Sequence, residues 1–165
     1  MTLQIELIPA GRELMRRLAD APAKALTELC NNAGEIAETV KSVADTQLAL
    51  YERNGATAPW TGYLIRWDGR IAGTCSFTGP PENGEVEIAY FTFPQYERRG
   101  IASEAARLLI AIAMSEPEIT SVIAHTLPEP NASTRILQKH GFVRDGTAQD
   151  KDAGHVWRWR KIRVR

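Results

Sequence analysis

The stretch EVEIAYFTFPQYERRGIASEAARLLIAIAM, residues 85–114, decides the fold. Residues 85–93 have the pattern of a strand, and Pro94 ends it. From Gly100 onward, apolar residues recur at the spacing of one helix face, namely Ile101, Ala105, Leu108, Leu109 and Ile112. A strand that passes through a short turn into an amphipathic helix indicates a mixed α/β domain.

The turn between this strand and this helix, residues 98–102, has the properties of an anion site. A helix N-terminus presents unpaired N–H groups and the positive end of the helix dipole. Gly100 has no Cβ, so an anion can approach the backbone, and Arg98 and Arg99 add positive charge. The same residues also fit a plain tight turn with solvated arginines. Neither a P-loop nor a G-x-G-x-x-G pattern occurs here.

A second helix start follows the next predicted strand, Ser121–Thr126. Asn131 can cap a helix that runs to His140, and Gly141 lies where a C-terminal cap glycine belongs. Asn131 and Ser133 are each compatible with a simple capping role. The order is more informative than either residue, because both features are helix starts that follow a strand.

Hydrophobic spacing and turn residues predict the remaining elements. The first is a strand over Leu3–Ile8 ended by Pro9, followed by two or three helices from Gly11 to about Leu50 that are broken near Pro22 and residues 31–34. Two strands, Trp60–Trp67 and Arg70–Phe77, are then joined by an Asp68-Gly69 hairpin. The last two strands, from Phe142 onward and His155–Ile162, lie on either side of the polar turn 150–154.

Composition excludes several classes of function. The chain has 165 residues, and 20 Lys+Arg balance 20 Asp+Glu, so its net charge gives no overall attraction to nucleic acid or membrane. The two cysteines and three histidines are scattered, so no metal site is expected. No apolar run approaches the ~20 residues of a membrane span. The N-terminus lacks the features of a signal peptide, so a cytoplasmic location and no membrane partner are expected.

These motifs together resemble the GNAT superfamily of N-acetyltransferases, and within it the branch typified by ribosomal-protein N-terminal acetyltransferases. The resemblance is carried by residues 87–91, 98–105, 125–126, 131–135 and 139–142. It implies a single α/β acetyltransferase domain over residues 1–165, with a central, mostly antiparallel twisted sheet of about seven strands and helices on both faces. One position departs from the family pattern, because Glu97 stands where Gln or Arg is usual.

The resemblance also implies the cofactor and its site. Acetyl-CoA would place its pyrophosphate on the N–H groups of residues 99–103 and its pantetheine arm between the strand ending at Phe93 and the strand Ser121–Thr126, with Asn131 on the other side. The implied cofactor-binding residues are Phe91, Thr92, Phe93, Arg98, Arg99, Gly100, Ile101, Ala102, Ser103, Asn131, Ser133 and Lys139.

Direct transfer requires a neutral amine, which points to a base and a proton donor. At pH 7, deprotonation costs roughly 4–5 kcal/mol for a lysine side chain and about 1 kcal/mol for an α-amine. Glu87 is the candidate base, with Glu85 in reserve. Ser133 is the first candidate donor to the departing thiolate and Tyr90 the second. The competing roles are surface charges for Glu87 and Glu85, a helix cap for Ser133 and a packed ring for Tyr90.

The sequence leaves three interpretations open. The first is an N-acetyltransferase acting on a protein N-terminal α-amine or a small-molecule amine, and the second is a catalytically silent CoA-binding or regulatory module. The third is a nucleic-acid adaptor that uses Trp157 to Lys161, although alternation there is typical of a half-buried strand. No nucleic-acid partner is therefore expected. A homodimer is one option for the oligomeric state.

Overall fold

The computed structural model describes residues 3–164 and consists of a mixed α/β fold. The strands of its single sheet are β1 (Ile5–Ala10), β2 (Gly62–Trp67), β3 (Arg70–Phe77), β4 (Glu85–Thr92), β5 (Ser121–Thr126), β6 (Val143–Asp150) and β7 (Gly154–Ile162). The helices are α1 (Arg12–Asp20), α2 (Pro22–Thr27), α3 (Ala33–Asn54), α4 (Ile101–Met114) and α5 (Ala132–Lys139). A short 3₁₀ turn, Pro94–Tyr96, follows β4.

The strands lie in the order β1-β2-β3-β4-β5-β7-β6. Every neighbouring pair is antiparallel except β4 and β5, which run parallel. These two strands pair only from Glu85 to Glu87, opposite Ser121 to Ile123. Beyond that point β4 continues to pair with β3 as far as Thr92, and β5 pairs with β7 as far as Thr126. The sheet therefore opens into a wedge between the later parts of β4 and β5.

Helices flank the sheet and fix its strands in place. The Tyr51 hydroxyl, on α3, donates to the Ala10 carbonyl at 2.8 Å and accepts from the Gly62 N–H at 2.7 Å, so one side chain joins α3 to β1 and β2. Helix α4 packs against β1, β3 and β4. The predicted mixed α/β fold with a seven-stranded, mostly antiparallel sheet is confirmed within residues 3–164.

Local turn signals were accurate, whereas one strand end was not. The predicted Asp68-Gly69 hairpin is confirmed, with φ values of 50° and 74°, as a two-residue hairpin turn requires. The prediction that Pro9 ends the first strand is wrong, because Pro9 lies inside β1 opposite Tyr63. Proline is tolerated there because β1 is the edge of the sheet. Across residues 3–164, no helix is long and apolar enough to cross a membrane.

Candidate active site

One cleft of about 690 Å³ brings together the end of β4 and the starts of α4 and α5. It lies along the part of β4 that no longer pairs with β5. Its lining consists of Tyr90, Phe91, Thr92, Tyr96, Glu97, Arg98, Gly100, Ile101, Ala102, Ser103, Ala132, Ser133, Arg135, Ile136 and Lys139. Most of the residues predicted for cofactor binding therefore share one cavity, although they come from three separate elements.

The α4 N-terminus faces this cleft without a side-chain cap among the described residues. The first hydrogen bond of the helix runs from the Glu104 N–H to the Gly100 carbonyl at 3.1 Å, so the earlier N–H groups have no helical partner. Gly100 has a φ of 81°, a left-handed conformation that other residues adopt only with strain. These N–H groups and the helix dipole make the start of α4 attractive to a phosphate.

Three cations surround the same opening. Arg98, Arg135 and Lys139 all line the cleft, and Glu97 is the acid among the lining residues. Arg135 was not among the predicted cofactor residues. Its spacing from Lys139 could have indicated it, because residues four apart share a helix face. The balance of charge at the opening is positive, so Glu97 weakens but does not cancel the attraction for an anion.

A small polar cluster ties α5 to α4 at the edge of this opening. His140 Nε2 donates to the Ser103 carbonyl at 3.0 Å, and Lys139 Nζ donates to Ser103 Oγ at 3.4 Å. Burial lowers the pKa of His140, and the nearby Lys139 and Lys161 add to this effect, while the bond to Ser103 opposes it. The ring is consequently neutral at pH 7, and Lys139 supplies the positive charge of the cluster.

Three predicted cofactor residues do not line the cleft. Phe93 is buried, with its N–H bonded to the Ala72 carbonyl at 2.9 Å. The Arg99 guanidinium lies 5.2 Å from the centre of the Trp67 ring, a cation–π contact that holds its charge beside β2. Asn131 Oδ1 accepts from the Thr134 N–H at 3.0 Å and so caps α5, in a reciprocal capping box.

The two predicted proton donors, Tyr90 and Ser133, are brought together. The Tyr90 hydroxyl donates to the Ser133 carbonyl at 3.3 Å, which joins β4 to the first turn of α5. Burial raises the pKa of Tyr90 to about 12, and the Ser133 side chain opposes this rise. Tyr90 therefore keeps its proton throughout the neutral range and acts as a hydrogen-bond donor.

The predicted base, Glu87, lies at the apex of the wedge and not in the cleft lining. It is the last residue of β4 that pairs with β5. Its carboxylate contacts His125 Nδ1 at 2.8 Å and accepts from the Thr78 hydroxyl at 3.2 Å. Sequence reasoning did not find this contact with His125, because the two residues are 38 positions apart. The arrangement holds a carboxylate in a defined orientation where the two strands separate.

The reserve base, Glu85, is bound in an ion-pair network. Its two oxygens lie 2.6 Å from Arg158 Nη2 and 3.0 Å from Arg160 Nη2, and it accepts from Ser121 Oγ at 2.8 Å. Asp145 also pairs with Arg158, at 2.6 Å. The arginines of the basic C-terminal strand are thus paired with carboxylates, which favours a structural role for Glu85.

The same C-terminal strand has a buried aromatic side. Trp159 is buried, and its Nε1 donates to the Thr126 hydroxyl at 3.0 Å. Trp157 packs against the core beside it. This agrees with a half-buried strand and leaves few free groups for stacking nucleic-acid bases. In the part of the chain that the structure describes, no cluster of His, Cys, Asp and Glu could hold a metal ion.

The acetyltransferase (GNAT) domain family matches residues 12–143. The chain belongs to that family, and the resemblance found in its motifs is confirmed.

Two relatives from Bacillus subtilis (strain 168) are both named uncharacterized N-acetyltransferases. YjdG is 31% identical over 96 residues, which cover 57% of this chain and 57% of its own length. YnaD is 27% identical over 111 residues, which cover 67% of this chain and 65% of its own length. The chain thus spans less than two thirds of the length of these curated relatives.

Among solved structures, the fold is similar to RimL, a ribosomal L7/L12 α-N-protein acetyltransferase in complex with coenzyme A. The superposition has a TM-score of 0.65 at 18% identity and covers 98% of this chain and 95% of that chain. At this level of identity the similarity shows a shared fold.

Proposed function

We propose that this protein is an N-acetyltransferase that moves an acetyl group from acetyl-CoA directly to a primary amine. The observation that carries the proposal is the wedge between β4 and β5, which opens beside the uncapped α4 N-terminus. A long, thin cosubstrate with an anionic end fits this combination, because the wedge leaves strand backbone unpaired and the helix start attracts phosphate.

The residues of the cleft divide the binding of acetyl-CoA between them. The N–H groups of Ile101, Ala102 and Ser103 would hold the pyrophosphate, and Arg98, Arg135 and Lys139 would supply positive charge around it. The pantetheine arm would lie along β4 beside Phe91. The buried Thr92 hydroxyl has no hydrogen-bond partner within residues 3–164 and lines the same cleft, so a polar group of the cosubstrate would satisfy it.

In the reaction, the amine nitrogen attacks the thioester carbonyl carbon, a C–N bond forms and the C–S bond breaks. Glu87 takes the proton that the amine loses, directly or through one water molecule. Ser133 or Tyr90 donates a hydrogen bond or proton to the departing sulfur. Both hydroxyls are suited to hydrogen bonding, since the pKa of about 12 for Tyr90 makes full transfer to a thiolate unfavourable and a serine hydroxyl is a weaker acid still. The sulfur then leaves as a thiolate.

A covalent acyl-cysteine is not needed for this chemistry. Cys75 is buried, and burial raises its pKa well above the ordinary value for a thiol. Only the thiolate is a competent nucleophile, so Cys75 stays protonated and inert. This supports a direct transfer to the amine.

The acceptor is proposed to be a protein α-amine, with small amines as the alternative. RimL, which shares the fold, acts on the α-amine of a ribosomal protein. An α-amine also needs only about 1 kcal/mol for deprotonation at pH 7. A cytoplasmic location and a homodimer stay predictions, and subcellular fractionation and analytical ultracentrifugation would test them.

The direct experiment follows thiol release from acetyl-CoA with a panel of amines, alongside calorimetric measurement of acetyl-CoA binding. We expect binding and amine-dependent turnover. Binding with no turnover on any amine would instead identify a silent CoA-binding module, the second candidate. This candidate is kept because Glu97 places a carboxylate in the cleft lining.

Replacing Gly100 tests the placement of the cofactor. Gly100→Trp should abolish acetyl-CoA binding, because the indole would cover the N–H groups at the start of α4. The φ of 81° at Gly100 adds strain, so Gly146→Trp is the control: that glycine has a φ of 92° and nothing within 4 Å of an added Cβ. If the two folded variants bound acetyl-CoA equally well, the proposed phosphate site would be wrong.

A further inference from the structure

We propose that the acceptor amine is carried by a small uncharged group, and that Gln47 is the residue that accepts a hydrogen bond from it. This inference rests on the proposed function, since it concerns the second substrate of the same reaction. It is drawn from a second cavity, of about 300 Å³, which lies between helices α1 and α3 and strands β2 to β4. We call it the acceptor pocket.

The acceptor pocket adjoins the cleft at the end of β4 and the starts of α4 and α5, which we call the cofactor cleft. Tyr90 and Phe91 line both cavities, so these residues of β4 form a shared wall between the pocket and the cleft. Ala89, two residues after Glu87 on the same strand, also lines the pocket. Successive residues on one strand face lie about 7 Å apart. This spacing separates the Cα atoms, and the Glu87 carboxylate would reach an amine in the pocket through water.

Every residue that lines the acceptor pocket is uncharged. Met15, Val43 and Phe91 provide apolar surface, and Thr46, Thr74 and Gln47 provide neutral polar groups. A carboxylate or a second ammonium group on the acceptor would lose its hydration without gaining a partner of opposite charge. Free amino acids, polyamines and chains that begin with a charged residue therefore fit poorly.

The volume indicates how much of an acceptor the pocket can hold. A water molecule occupies about 30 Å³ in the liquid, so the pocket holds about ten water volumes. That is enough for one amino-acid residue of modest size with its amine. The favoured acceptor class is consequently the α-amine of a peptide, or of an amino-acid amide, with an uncharged first side chain.

Gln47 is the group in the pocket that lacks a partner. Its Oε1 atom is buried and has no hydrogen-bond partner in the described part of the chain. Gly62 leaves room for the Gln47 side chain, because a Cβ added at position 62 would lie 3.5 Å from Gln47 Cδ and 3.1 Å from Met15 Cε. A buried oxygen that accepts no hydrogen bond is unfavourable, and the N–H of the substrate amine would supply that bond.

An amide suits this role better than a carboxylate does. A negative charge beside the amine would raise the amine pKa and stabilise the unreactive ammonium form. An amide oxygen accepts the hydrogen bond without this penalty. Gln47 therefore orients the amine while leaving it free to lose its proton to Glu87.

The first experiment compares kcat/KM for alanine, threonine and methionine amides with that for aspartate and lysine amides, free alanine and spermidine. We expect the uncharged amides to exceed every charged acceptor by about tenfold or more. Equal or better turnover of the charged acceptors, with normal acetyl-CoA binding, would overturn this inference alone. No turnover on any amine would overturn the proposed function and this inference with it.

Two variants then test Gln47 directly. Gln47→Met should raise KM for the favoured amide about five- to tenfold and leave the acetyl-CoA affinity unchanged. Gln47→Glu should move the rise of kcat with pH to higher pH, because the bound amine holds its proton more tightly. Gln149→Glu, an exposed position on β6, makes the same charge change elsewhere and should leave kcat and KM unchanged. An unshifted pH profile in Gln47→Glu, with KM unchanged in Gln47→Met, would refute the role of Gln47.

Discussion

At the scale of single residues, replacing Glu87 tests the proposed base. Glu87→Gln keeps the shape and removes the ability to accept a proton. We expect kcat to fall about 100-fold near neutral pH, with the affinity for acetyl-CoA unchanged. The deficit should narrow as the pH approaches the amine pKa, because the amine then deprotonates without help. Steady-state kinetics across the pH range measure both effects.

Glu85→Gln is the matched control for that experiment. It makes the same change two residues earlier, where Arg158 and Arg160 hold the carboxylate. The variant should be less stable to urea, since Arg158 and Arg160 lose a negatively charged partner, and should keep nearly normal kcat. An equal loss of kcat in both variants would show that Glu87 has no special role as a base.

Replacing Glu97 should have the opposite effect and strengthen the binding of acetyl-CoA. Its exposed carboxylate lines a cleft whose other charges are positive, so it repels a bound phosphate. Glu97→Gln should tighten acetyl-CoA binding about two- to fivefold at low salt, and the gain should shrink as salt screens the charge. Calorimetric titrations at two ionic strengths measure this. Glu38→Gln, at an exposed position on α3, should change nothing, and a loss of affinity in Glu97→Gln would mean that the carboxylate helps binding.

At the scale of secondary-structure elements, the start of α5 tests whether a helix cap supports binding. Asn131 Oδ1 caps this helix, which carries Arg135 and Lys139 into the cleft. Asn131→Ala should lower the free energy of unfolding by about 1 kcal/mol and weaken acetyl-CoA binding, because the two cations lose their fixed position. Urea unfolding and calorimetry measure the two effects.

Asn131→Ser distinguishes the two roles considered for this residue. Serine caps helices almost as well as asparagine, so it should restore stability and, if Asn131 acts only as a cap, affinity as well. Restored stability without restored affinity would instead show that the Asn131 amide contacts the cosubstrate, as the family resemblance implies.

Turns and helix starts, which depend on residues close together in the sequence, were predictable. Contacts between residues far apart in the sequence were not. The hairpin at Asp68-Gly69 and the helix starts at Gly100 and Asn131 follow from local conformational preferences, and the sequence showed all three. The pairing of Glu87 with His125 depends on how two strands lie in the sheet, so no local pattern revealed it.

The same dependence on long-range contacts explains the other differences between the predicted and the observed lining of the cleft. Arg99 looked like a phosphate ligand, but a ring on β2 holds its guanidinium. Arg135 and the acceptor pocket around Gln47 became visible only when separate helices and strands were brought together. Sequence reasoning therefore predicted the backbone that lines the cleft, but it missed Arg135 and the second cavity around Gln47.

At the scale of the whole molecule, the net charge of zero conceals an uneven distribution. Arg98, Arg135 and Lys139 gather at one opening, whereas Arg158 and Arg160 are neutralised by Glu85 and Asp145. Long-range steering of an anionic cosubstrate is consequently weak, and attraction acts only within about 10 Å at ordinary ionic strength. Specific binding therefore depends on the geometry of the cleft more than on overall charge.

Acid should reduce the stability of the whole fold in two stages. Burial lowers the pKa of His140 in the folded state, so the unfolded chain binds that proton more readily. The stability linked to His140 is complete above its unfolded pKa of about 6.5 and declines as the pH falls through that value toward the folded pKa. A second decline follows at lower pH. There, hydrogen bonds from Arg107 to Glu104, and from the Ala153 and Asp152 N–H groups to Asp150, hold both carboxyl pKa values low.

Substitution of His140 separates these stages. His140→Gln keeps a donor for the Ser103 carbonyl but cannot take up a proton, so the free energy of unfolding should no longer fall in the first stage, while the second stage remains. His155→Gln, at an exposed position on β7, should leave both stages intact. Urea unfolding at a series of pH values from neutral to about 4 measures the slopes. Since His140 also joins α5 to Ser103, a first stage that persists in His140→Gln would mean that acid acts elsewhere in the fold and not through the edge of the cofactor cleft.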